Sequence, residues 1–429
     1  MKMKYLFFIM AFFCFEQTFA QQKLSLTLEQ AQAYALEHNR KLKNASLDIQ
    51  KAEASRWQAL ASMLPQAKVN FDYSNYCGYE MNFGPMVIAM NPSGNLAAQV
   101  AVALSGAQVI GTQLSAIALK MAEINLQKTQ LEISNQVKTM YYSILIMDET
   151  LDLLSKNLEN MKKLHQFTEN SVKVGIAEQT SADQLLVQIA FMETGINSTK
   201  RSLEVLSNSL RLLLGVNASD EIELVQKMDE LLSIESALQL LKTDFSLEKN
   251  YNYQLLKHST DISKKQISMS EWNFGPTMSA FYQYTKKTYF GKDEGFNMTP
   301  PNLVGASVSI PIFSSGLKYA KLRDAKISYE EQLNTLNDTE EALKIQHSQL
   351  RYNLTSAHEN FETQKKNIEV NQRVFDNISR KFEQGMASSL EVTTSGSNLI
   401  SAQSSYVKAL MELVTAQIAL EELLNTDNK

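Results

Sequence analysis

The side chains that most often perform catalysis or hold metal ions are few and scattered in this sequence. The five histidines are His38, His165, His258, His347 and His358. His347 and His358 fall on one predicted helix but are too far apart to share a metal ion. The chain has no G-x-G-x-x-G after a strand, no P-loop, no H-E-x-x-H and no C-x-x-C. We therefore predict no catalytic residue, no metal ligand, no bound cofactor and no enzymatic activity.

The start of the chain has the pattern of a cleaved targeting segment. Lys2 and Lys4 provide a positive start, and an apolar run of about a dozen residues follows. Thr18-Phe19-Ala20 places small residues where cleavage before Gln21 requires them. The apolar run is too short for a membrane-spanning helix. We interpret residues 1–20 as a signal peptide, so the mature chain leaves the cytoplasm.

The chain has only two cysteines, and their positions argue against a disulfide framework. Cys14 lies in the targeting segment and raises the alternative of a lipoprotein, but the bulky Phe12 and Phe13 before it favour ordinary cleavage. Cys77 is then the single thiol of the mature chain, and no intramolecular disulfide is expected.

Composition narrows the class of protein. With 15 glycines and 7 prolines in 429 residues, the chain favours helices. The net charge of −5, without a large basic block, argues against a nucleic-acid partner. No stretch after the targeting segment is long and apolar enough for a helical anchor. Such an exported chain is either soluble in the periplasm or sits in the outer membrane as a barrel.

Two halves of the sequence align with an offset of 210 residues. Gly106 falls on Gly316, and Gly175 falls on Gly385. Few other identities survive, so the order of the predicted elements carries the comparison. Each half contains a helix of medium length, two alternating segments around a polar loop, and a very long helix that turns and returns. The chain is therefore an internal duplication.

The duplication sets the predicted domain boundaries. The first repeat covers 21–216 and the second covers 246–429, with an equatorial connector over 217–245 between them. The hairpins of long helices occupy about 106–214 and about 316–425. The medium helices are predicted at about Leu28 to Leu64 and about Leu247 to Asn273.

The long helices carry apolar residues that step by four and three, the spacing of a coiled-coil seam. Two seamed helices joined by a short turn form an antiparallel hairpin. Taken alone, these helices would fit a soluble bundle. The first seam includes Met140, Ile144, Met147, Leu151, Leu154, Leu158 and Met161, and the second, at the same offset, includes Leu350, Leu354, Ala357, Phe361, Gln364, Ile368 and Asn371.

Four segments alternate between apolar and polar or small residues, the period of a strand with one apolar face. They cover about 67–75, 97–105, 277–285 and 303–313. Their length suits transmembrane strands, which need about 9 to 11 residues. Their apolar positions are Val69, Phe71, Tyr73, Ala98, Val100, Val102, Leu104, Met278, Ala280, Tyr282, Tyr284, Val304, Ala306, Val308, Ile310 and Ile312.

Four strands cannot close a membrane barrel, because the smallest have about eight. An open sheet edge is not tolerated in lipid, so membrane strands here require oligomerisation. Three copies with four strands each would give twelve. Asn75–Asn95 and Lys286–Asn302 would then be the outer hairpin tips. The alternative is a soluble four-stranded sheet.

The whole arrangement resembles the TolC-like outer-membrane efflux protein family over nearly the entire mature chain. Ser309–Gly316 is similar to that family's strand-to-helix junction, with Pro311, Phe313 and Gly316 at its characteristic positions. The first-half counterpart, Val102–Gly106, lacks the proline and the aromatic residue.

The resemblance implies a fold that is mainly α with a β-barrel portion. Duplicated helical hairpins form a tunnel, and four transmembrane strands per subunit close as a trimeric twelve-stranded barrel. It also implies a homotrimer in contact with outer-membrane lipid, a periplasmic adaptor protein, and through that adaptor an inner-membrane transporter.

The turns around Gly175 and Gly385 resemble the periplasmic tips of the family. The resemblance makes Val174, Gly175, Gln384 and Gly385 the expected adaptor-docking residues. The tip tyrosine and arginine known from some members are Phe382 and Ala387 in this sequence, so the polar links that close those members are not expected in the same form.

Two acidic residues near the tips could have either of two roles. The resemblance places Glu391 where the family often has an acid that lines the narrow periplasmic end, while Asp183 lies two residues after its counterpart Ser181. In a trimer these acids would form rings that favour cations at a pore constriction. Alternatively, each is an acid at a helix start, favoured by the helix dipole.

The sequence therefore leads to two functional hypotheses. In the first, the protein is the passive exit duct of a tripartite efflux or type I secretion system in the outer membrane of a Gram-negative bacterium, gated at its periplasmic tips. In the second, it is a soluble periplasmic coiled-coil structural or adaptor protein. The alternating segments distinguish them, because only the first needs lipid against their apolar face.

Overall fold

A computed structural model describes residues 23–231, 234–290 and 300–425. The predicted signal peptide, the Cys14 alternative and part of the predicted loop Lys286–Asn302 lie outside these residues. The chain divides into two compact units. We call Asn44–Lys128 with Ser246–Ile345 the strand unit, and the rest of the described chain the hairpin unit.

The helices and strands are numbered in chain order. The helices are α1 Leu28–His38, α2 Arg40–Ala61, α3 Gly106–Lys173, α4 Gln179–Leu214, α5 Met228–Leu231, α6 Ile234–Leu240, α7 Tyr251–Trp272, α8 Leu317–Glu383 and α9 Ser389–Leu424, with a 3-10 turn at Leu247–Lys249. The strands are β1 Lys23–Leu26, β2 Gln66–Ser74, β3 Glu80–Phe83, β4 Met86–Ala89, β5 Ser93–Ser105, β6 Glu221–Leu224, β7 Thr277–Tyr289 and β8 Asn302–Ser309.

The strand unit contains one four-stranded antiparallel sheet in the order β2-β5-β7-β8. The two hairpins β2–β5 and β7–β8 come from the two repeats, and β5 pairs with β7 along its whole length. β2 and β8 are the edge strands. One sheet thus combines corresponding hairpins from both halves of the duplication.

β8 ends at Ser309, before the end of the strand predicted over 303–313. Its partner β7 begins at Thr277, directly after Pro276, and Thr277 is the residue paired with Ser309. Pro311 has no N–H to offer a ladder. The prediction of strand beyond Ser309 is therefore wrong, because the alternating pattern outlasts the partner strand.

The expected polar loop over Asn75–Asn95 contains a second, smaller hairpin. β3 and β4 pair from Glu80 with Ala89 to Phe83 with Met86. The loop prediction is wrong here because the short apolar run of β4 is enough to form strand when a turn brings β3 beside it.

Asn39 divides the helix that was predicted over 28–64. Its backbone is extended, with ψ at 129°, and its side-chain oxygen accepts hydrogen bonds from the N–H groups of Lys41 and Leu42 at 2.8 and 3.3 Å. Its amide group donates to the carbonyl oxygen of Leu213 at 2.7 Å. The prediction of one helix is wrong because apolar periodicity continues through a one-residue break.

Two glycines allow close approach between elements. Gly106, the first residue of α3, lies against the indole of Trp272, and a Cβ at Gly106 would overlap that ring. The Ser105 hydroxyl accepts from the N–H of Gln108 at 3.3 Å, and the Gln108 side chain accepts from the Ser105 N–H at 2.8 Å. These bonds satisfy donors at the start of α3. Gly215 follows α4 with φ at 74°, and a Cβ at this position would lie 2.7 Å from the His38 carbonyl oxygen.

In the hairpin unit, α3, α4, α8 and α9 share an apolar core near their turns. The core comprises Met161, Leu164, Leu185, Ile189, Met192, Phe375, Val392 and Leu399. Gly396 on α9 leaves room for the Met161 side chain, because a Cβ there would overlap its methyl group. Both hairpins therefore contribute to one core.

Buried polar pairs also join the two repeats in the hairpin unit. Lys138 on α3 forms an ion pair with Glu421 on α9 at 2.5 Å, and both side chains are buried. Burial, and then the negative charge of Glu421, raises the pKa of Tyr142 to about 12. Asn157 donates to Gln403 at 2.6 Å, also buried. Removing one partner of such a buried pair lowers the free energy of unfolding by far more than the intact pair contributes to it, because the other partner is left buried and unpaired.

The contact between Gly106 and Trp272 generates a stability prediction. Gly106→Ala should lower the thermal midpoint, because overpacking of this kind costs about 1–3 kcal/mol. Gly111→Ala on the same helix has open space around the new methyl group and should be neutral or stabilising by up to about 1 kcal/mol. Thermal unfolding of both purified variants measures this. Equal midpoints for the two would show that the indole moves aside without cost.

Candidate functional site

The register of the sheet places on one face the predicted apolar residues that lie within the four strands. Ile310 and Ile312 lie beyond the end of β8 and are not part of the sheet. The cross-strand rows of this face run from β5 through β7 to β8, and β2 adds Val69 opposite Ala98 and Phe71 opposite Leu96. The rows are Ala98–Tyr284–Asn302, Val100–Tyr282–Val304, Val102–Ala280–Ala306 and Leu104–Met278–Val308. We call this surface the apolar face.

The apolar face is exposed over most of the sheet, and Ala98 and Val102 on β5 are partly covered. Val304 is 77% exposed and Phe71 is 69% exposed. Along β7, every residue of the apolar face is exposed, whereas most residues of the opposite face are partly covered. A contiguous exposed apolar surface of this kind marks a contact with lipid or with another protein. Alternation of apolar and polar residues in strands of 8 to 13 residues is the pattern of a membrane barrel wall.

The opposite face carries polar and small residues. It includes Asn70 and Asp72 on β2, and a hydrogen bond of 2.8 Å joins the hydroxyls of Ser279 and Ser307. Phe281, Tyr289 and Leu303 are the exceptions. The Phe281 ring covers Gly305 on the neighbouring strand, where a Cβ would overlap it. The sheet therefore separates an apolar surface from a mostly polar one.

The two edges of the sheet are open. β2 pairs only with β5, and β8 pairs only with β7, among the residues that the structure describes. In water such edges could be solvated, but against lipid each unpaired N–H or C=O would cost several kcal/mol. An apolar face and two open edges are compatible in a membrane only if other strands continue the sheet.

The predicted junction residues lie between β8 and α8. Phe313 is 87% exposed, and Pro311 precedes it in the segment that follows the strand. Ser315 and Gly316 both adopt positive φ, at 49° and 80°. This left-handed pair reverses the chain from strand to helix, and it explains glycine at 316, since that conformation is strained for other residues.

The turns at Gly175 and Gly385 have the same backbone structure. In the first, the N–H of Gly175 donates to the Val172 carbonyl at 3.0 Å and the N–H of Ile176 donates to the Ser171 carbonyl at 2.9 Å. In the second turn, the N–H of Gly385 donates to the Phe382 carbonyl at 2.9 Å and the N–H of Met386 donates to the Lys381 carbonyl at 2.8 Å. This is the Schellman motif, and it requires the positive φ of 77° and 73° seen at the two glycines.

Both turns present apolar side chains to solvent. Val174, predicted as a docking residue, is exposed, and so is Gln384 at the equivalent position. The residues after the two glycines are also exposed, Ile176 by 82% and Met386 by 65%. Sequence reasoning missed these two. Their common position after aligned glycines was the available signal.

The two acidic residues contact their own helix starts. Ser388 donates to the Glu391 carboxylate from its backbone N–H at 2.7 Å and from its hydroxyl at 2.9 Å, and that hydroxyl accepts from the Glu391 N–H. These hydrogen bonds, the backbone one first, hold the pKa of Glu391 below its usual value. Asp183 accepts from the Gln179 side chain at 2.9 Å on α4. The structure thus places Glu391 in a capping box with Ser388 at the start of α9.

The described residues contain no group of three or more His, Cys, Asp or Glu side chains arranged to hold a metal ion. None of the described helices has the length and apolar character needed to cross a membrane. The features left to carry function are thus the apolar face with its open edges and the two exposed turns.

Comparison with known proteins identifies the family. The family model described as outer membrane efflux protein matches residues 19–216 and 244–426, which is most of the chain. The chain belongs to the outer membrane efflux protein family. The match covers both repeats and leaves out most of the segment between them. Proteins of this family are efflux channels rather than enzymes.

One relative of this efflux family member agrees with the assignment. Toxin and drug export protein A of Aggregatibacter actinomycetemcomitans is 20% identical over 319 residues, which is 69% of this chain and 64% of that protein. The match thus spans somewhat less than two thirds of the relative's length.

Solved structures of outer membrane channels share the fold. The outer membrane protein VceC of Vibrio cholerae matches with a TM-score of 0.75 at 17% identity, covering 94% of this chain and 97% of that one. The Campylobacter jejuni CmeC channel matches with a TM-score of 0.76 at 15% identity, covering 92% and 85%. The open state of the Neisseria gonorrhoeae MtrE channel matches at 0.75 and 15%, covering 92% and 88%. The predicted fold class, helical hairpins with a barrel portion, is confirmed.

The hydrogen bonds of Glu391 generate a pH prediction. A lowered pKa means that the carboxylate stabilises the turn above the unfolded pKa of about 4.3, and that this contribution disappears as pH falls through the folded pKa. Glu391→Gln should speed amide hydrogen exchange at 389–392 near pH 7, and Glu391→Ala more so, because glutamine can still complete the capping box.

The comparison is made at each pH against the unchanged protein. The Gln variant and the unchanged protein should converge at a pH below the folded pKa, whereas the Ala variant should remain faster. Asp183→Asn serves as the matched control in the other repeat and should leave exchange at 389–392 unaltered. A Gln variant that exchanges like the unchanged protein at pH 7 would contradict the assignment.

Proposed function

We propose that this protein is the outer-membrane exit duct of a tripartite efflux or type I secretion system in a Gram-negative bacterium. It conducts substrates passively from an inner-membrane pump across the periplasm and the outer membrane. The observation that carries the proposal is the exposed apolar face on a sheet with two open edges. Lipid against that face and strands of further copies at those edges satisfy both requirements at once.

A homotrimer is the assembly that the sheet favours. Each copy has four long strands in one sheet, so three copies provide twelve, which exceeds the minimum of about eight for closure. The edge strands differ, because β2 belongs to the first repeat and β8 to the second. A head-to-tail ring that pairs β8 of one copy with β2 of the next leaves no edge open.

The helices support a duct through the periplasm. α3 has 68 residues and α8 has 67, and at 1.5 Å per residue each corresponds to about 100 Å of helix. Lengths of this order are unnecessary for an ordinary globular core. They suit an object that must reach from the outer membrane toward an inner-membrane partner.

The exposed turns are the proposed docking surface for a periplasmic adaptor. Val174 and Gly175 in the first turn and Gln384 and Gly385 in the second lie beside exposed apolar residues, and a Cβ at either glycine would meet nothing within 4 Å. An adaptor hairpin can therefore approach the backbone closely. Gating follows if docking parts the hairpins, with Glu391 and Asp183 lining the constriction.

The alternative is a soluble periplasmic coiled-coil structural or adaptor protein. It accounts for the helices but leaves the apolar face without a covering partner. A membrane channel accounts for both the long helices and the apolar face, and the family assignment also favours the channel.

Membrane fractionation and channel recording test the proposal together. We expect the protein in the outer-membrane fraction, soluble only in detergent, and running on an unheated gel as a species about three times the monomer mass. In planar bilayers it should conduct, and Glu391→Gln should lower the preference for cations. A monomer that stays dispersed in buffer, or a trimer that never conducts, would overturn the duct.

A further inference from the structure

Basic residues are concentrated where α8 begins, directly after β8. Lys318, Lys321, Arg323 and Lys326 fall within its first three turns, and the first turn has no acidic residue. Cations near a helix N-terminus are disfavoured by the helix dipole. α3 starts at the same point of the first repeat, and it carries no charge from Gly106 to Leu119. The junction itself therefore does not require these charges.

The first of these lysines lies against a pair of aromatic rings, of which one is partly buried and one is exposed. The Lys318 ammonium group is 5.8 Å from the centroid of the Phe274 ring, within the range of a cation–π interaction. Phe274 in turn packs edge to face with Tyr319, with 5.1 Å between the ring centroids, and Tyr319 is 72% exposed. Lys321 is three residues after Lys318 and so neighbours it on the helix. We call Phe274, Lys318, Tyr319 and Lys321 the rim cluster.

The charges of the rim cluster are free to act on a ligand. Among the residues that the structure describes, no carboxylate lies at ion-pair distance from Lys318 or Lys321. Glu271 and Asp324 are the nearby acids in sequence, and both are exposed. A pair of unneutralised ammonium groups beside aromatic rings suits a phosphate at an apolar boundary.

The position of the rim cluster identifies the kind of phosphate. Met278 and Val308 are paired in the row of the apolar face nearest the helices. Phe274 precedes the first residue of β7 by three positions, and Lys318, the second residue of α8, follows the last residue of β8 by nine positions. Given the proposed function, on which this inference rests, that end of the sheet is the periplasmic boundary of the membrane. We propose that the rim cluster binds the headgroup phosphate of an anionic glycerophospholipid in the periplasmic leaflet of the outer membrane.

Native mass spectrometry of the detergent-purified trimer, titrated with phosphatidylglycerol or phosphatidylcholine, tests the proposal. The double variant Lys318→Gln, Lys321→Gln should retain about thirtyfold less phosphatidylglycerol, since each lysine near an anionic surface contributes about fivefold. Phosphatidylcholine retention should not change. The matched control Lys365→Gln, Lys366→Gln removes two exposed lysines elsewhere on α8 and should bind like the unchanged protein.

The outcomes separate this inference from the proposed function. Equal phosphatidylglycerol retention by the double variant and the unchanged trimer overturns the inference alone. So does displacement of the lipid by millimolar glycerophosphate, which would indicate a site for free phosphate. Altered ion selectivity of the double variant with unchanged lipid retention would place the lysines in the lumen and also overturn it. A protein that enters no bilayer, even one of phosphatidylcholine alone, overturns the proposed function and this inference together.

Discussion

The backbone groups along the outer edges of β2 and β8 impose the constraint on which the proposed assembly depends. Every N–H and C=O in a lipid environment needs a hydrogen-bond partner, and the described part of this chain supplies partners for only part of its sheet. In the proposed assembly the apolar face lies against lipid, and the edges then require strands from other copies. Once copies associate through their edges, the helices that leave the same strands must associate as well. Barrel and tunnel therefore follow from one requirement.

The duplication preserves backbone structure more closely than side chains. Both turns have the same two Schellman hydrogen bonds and a glycine of positive φ, although the residues around them differ. α9 starts with a complete capping box, whereas the N-cap residue of α4, Glu178, makes no side-chain hydrogen bond to the start of its helix. The strand-to-helix junctions differ in the same way, with a hydrogen-bonded serine before α3 and a left-handed pair before α8. Each repeat thus meets the same geometric demand with different side chains.

The spacing of apolar residues along the chain predicted the features that such spacing determines, above all which strand residues share one face. The period of two located the apolar face, and the register of the sheet then brought these residues of four strands to one side. The break at Asn39 was not predictable in this way, because it depends on a hydrogen bond to Leu213, far along the chain. The end of β8 depends on where its partner begins.

Contacts between distant segments were likewise beyond the sequence pattern. Glu421 reads as an ordinary exposed acid of a helix, and only the fold brings it to Lys138, 283 positions away. The sequence indicates only that a helix starts at Gly106, and the contact between this glycine and the indole of Trp272 depends on the fold. At the turns, the exposure of Ile176 and Met386 follows from the direction in which the left-handed glycine sends the chain. The position of both residues directly after aligned glycines is the one sequence signal for that direction, and the types of the two residues do not reveal it.

Cysteine scanning of β8 in the assembled protein tests the central claim most directly. With Cys77 replaced by serine, single cysteines at Val304, Ser307, Val308 and Ser309 are exposed to a water-soluble maleimide in the membrane. We expect labelling at 307 and 309, which lie on the polar face, and protection at 304 and 308, which lie on the apolar face. Equal labelling at all four positions, or the reverse pattern, would contradict a sheet that separates lipid from water.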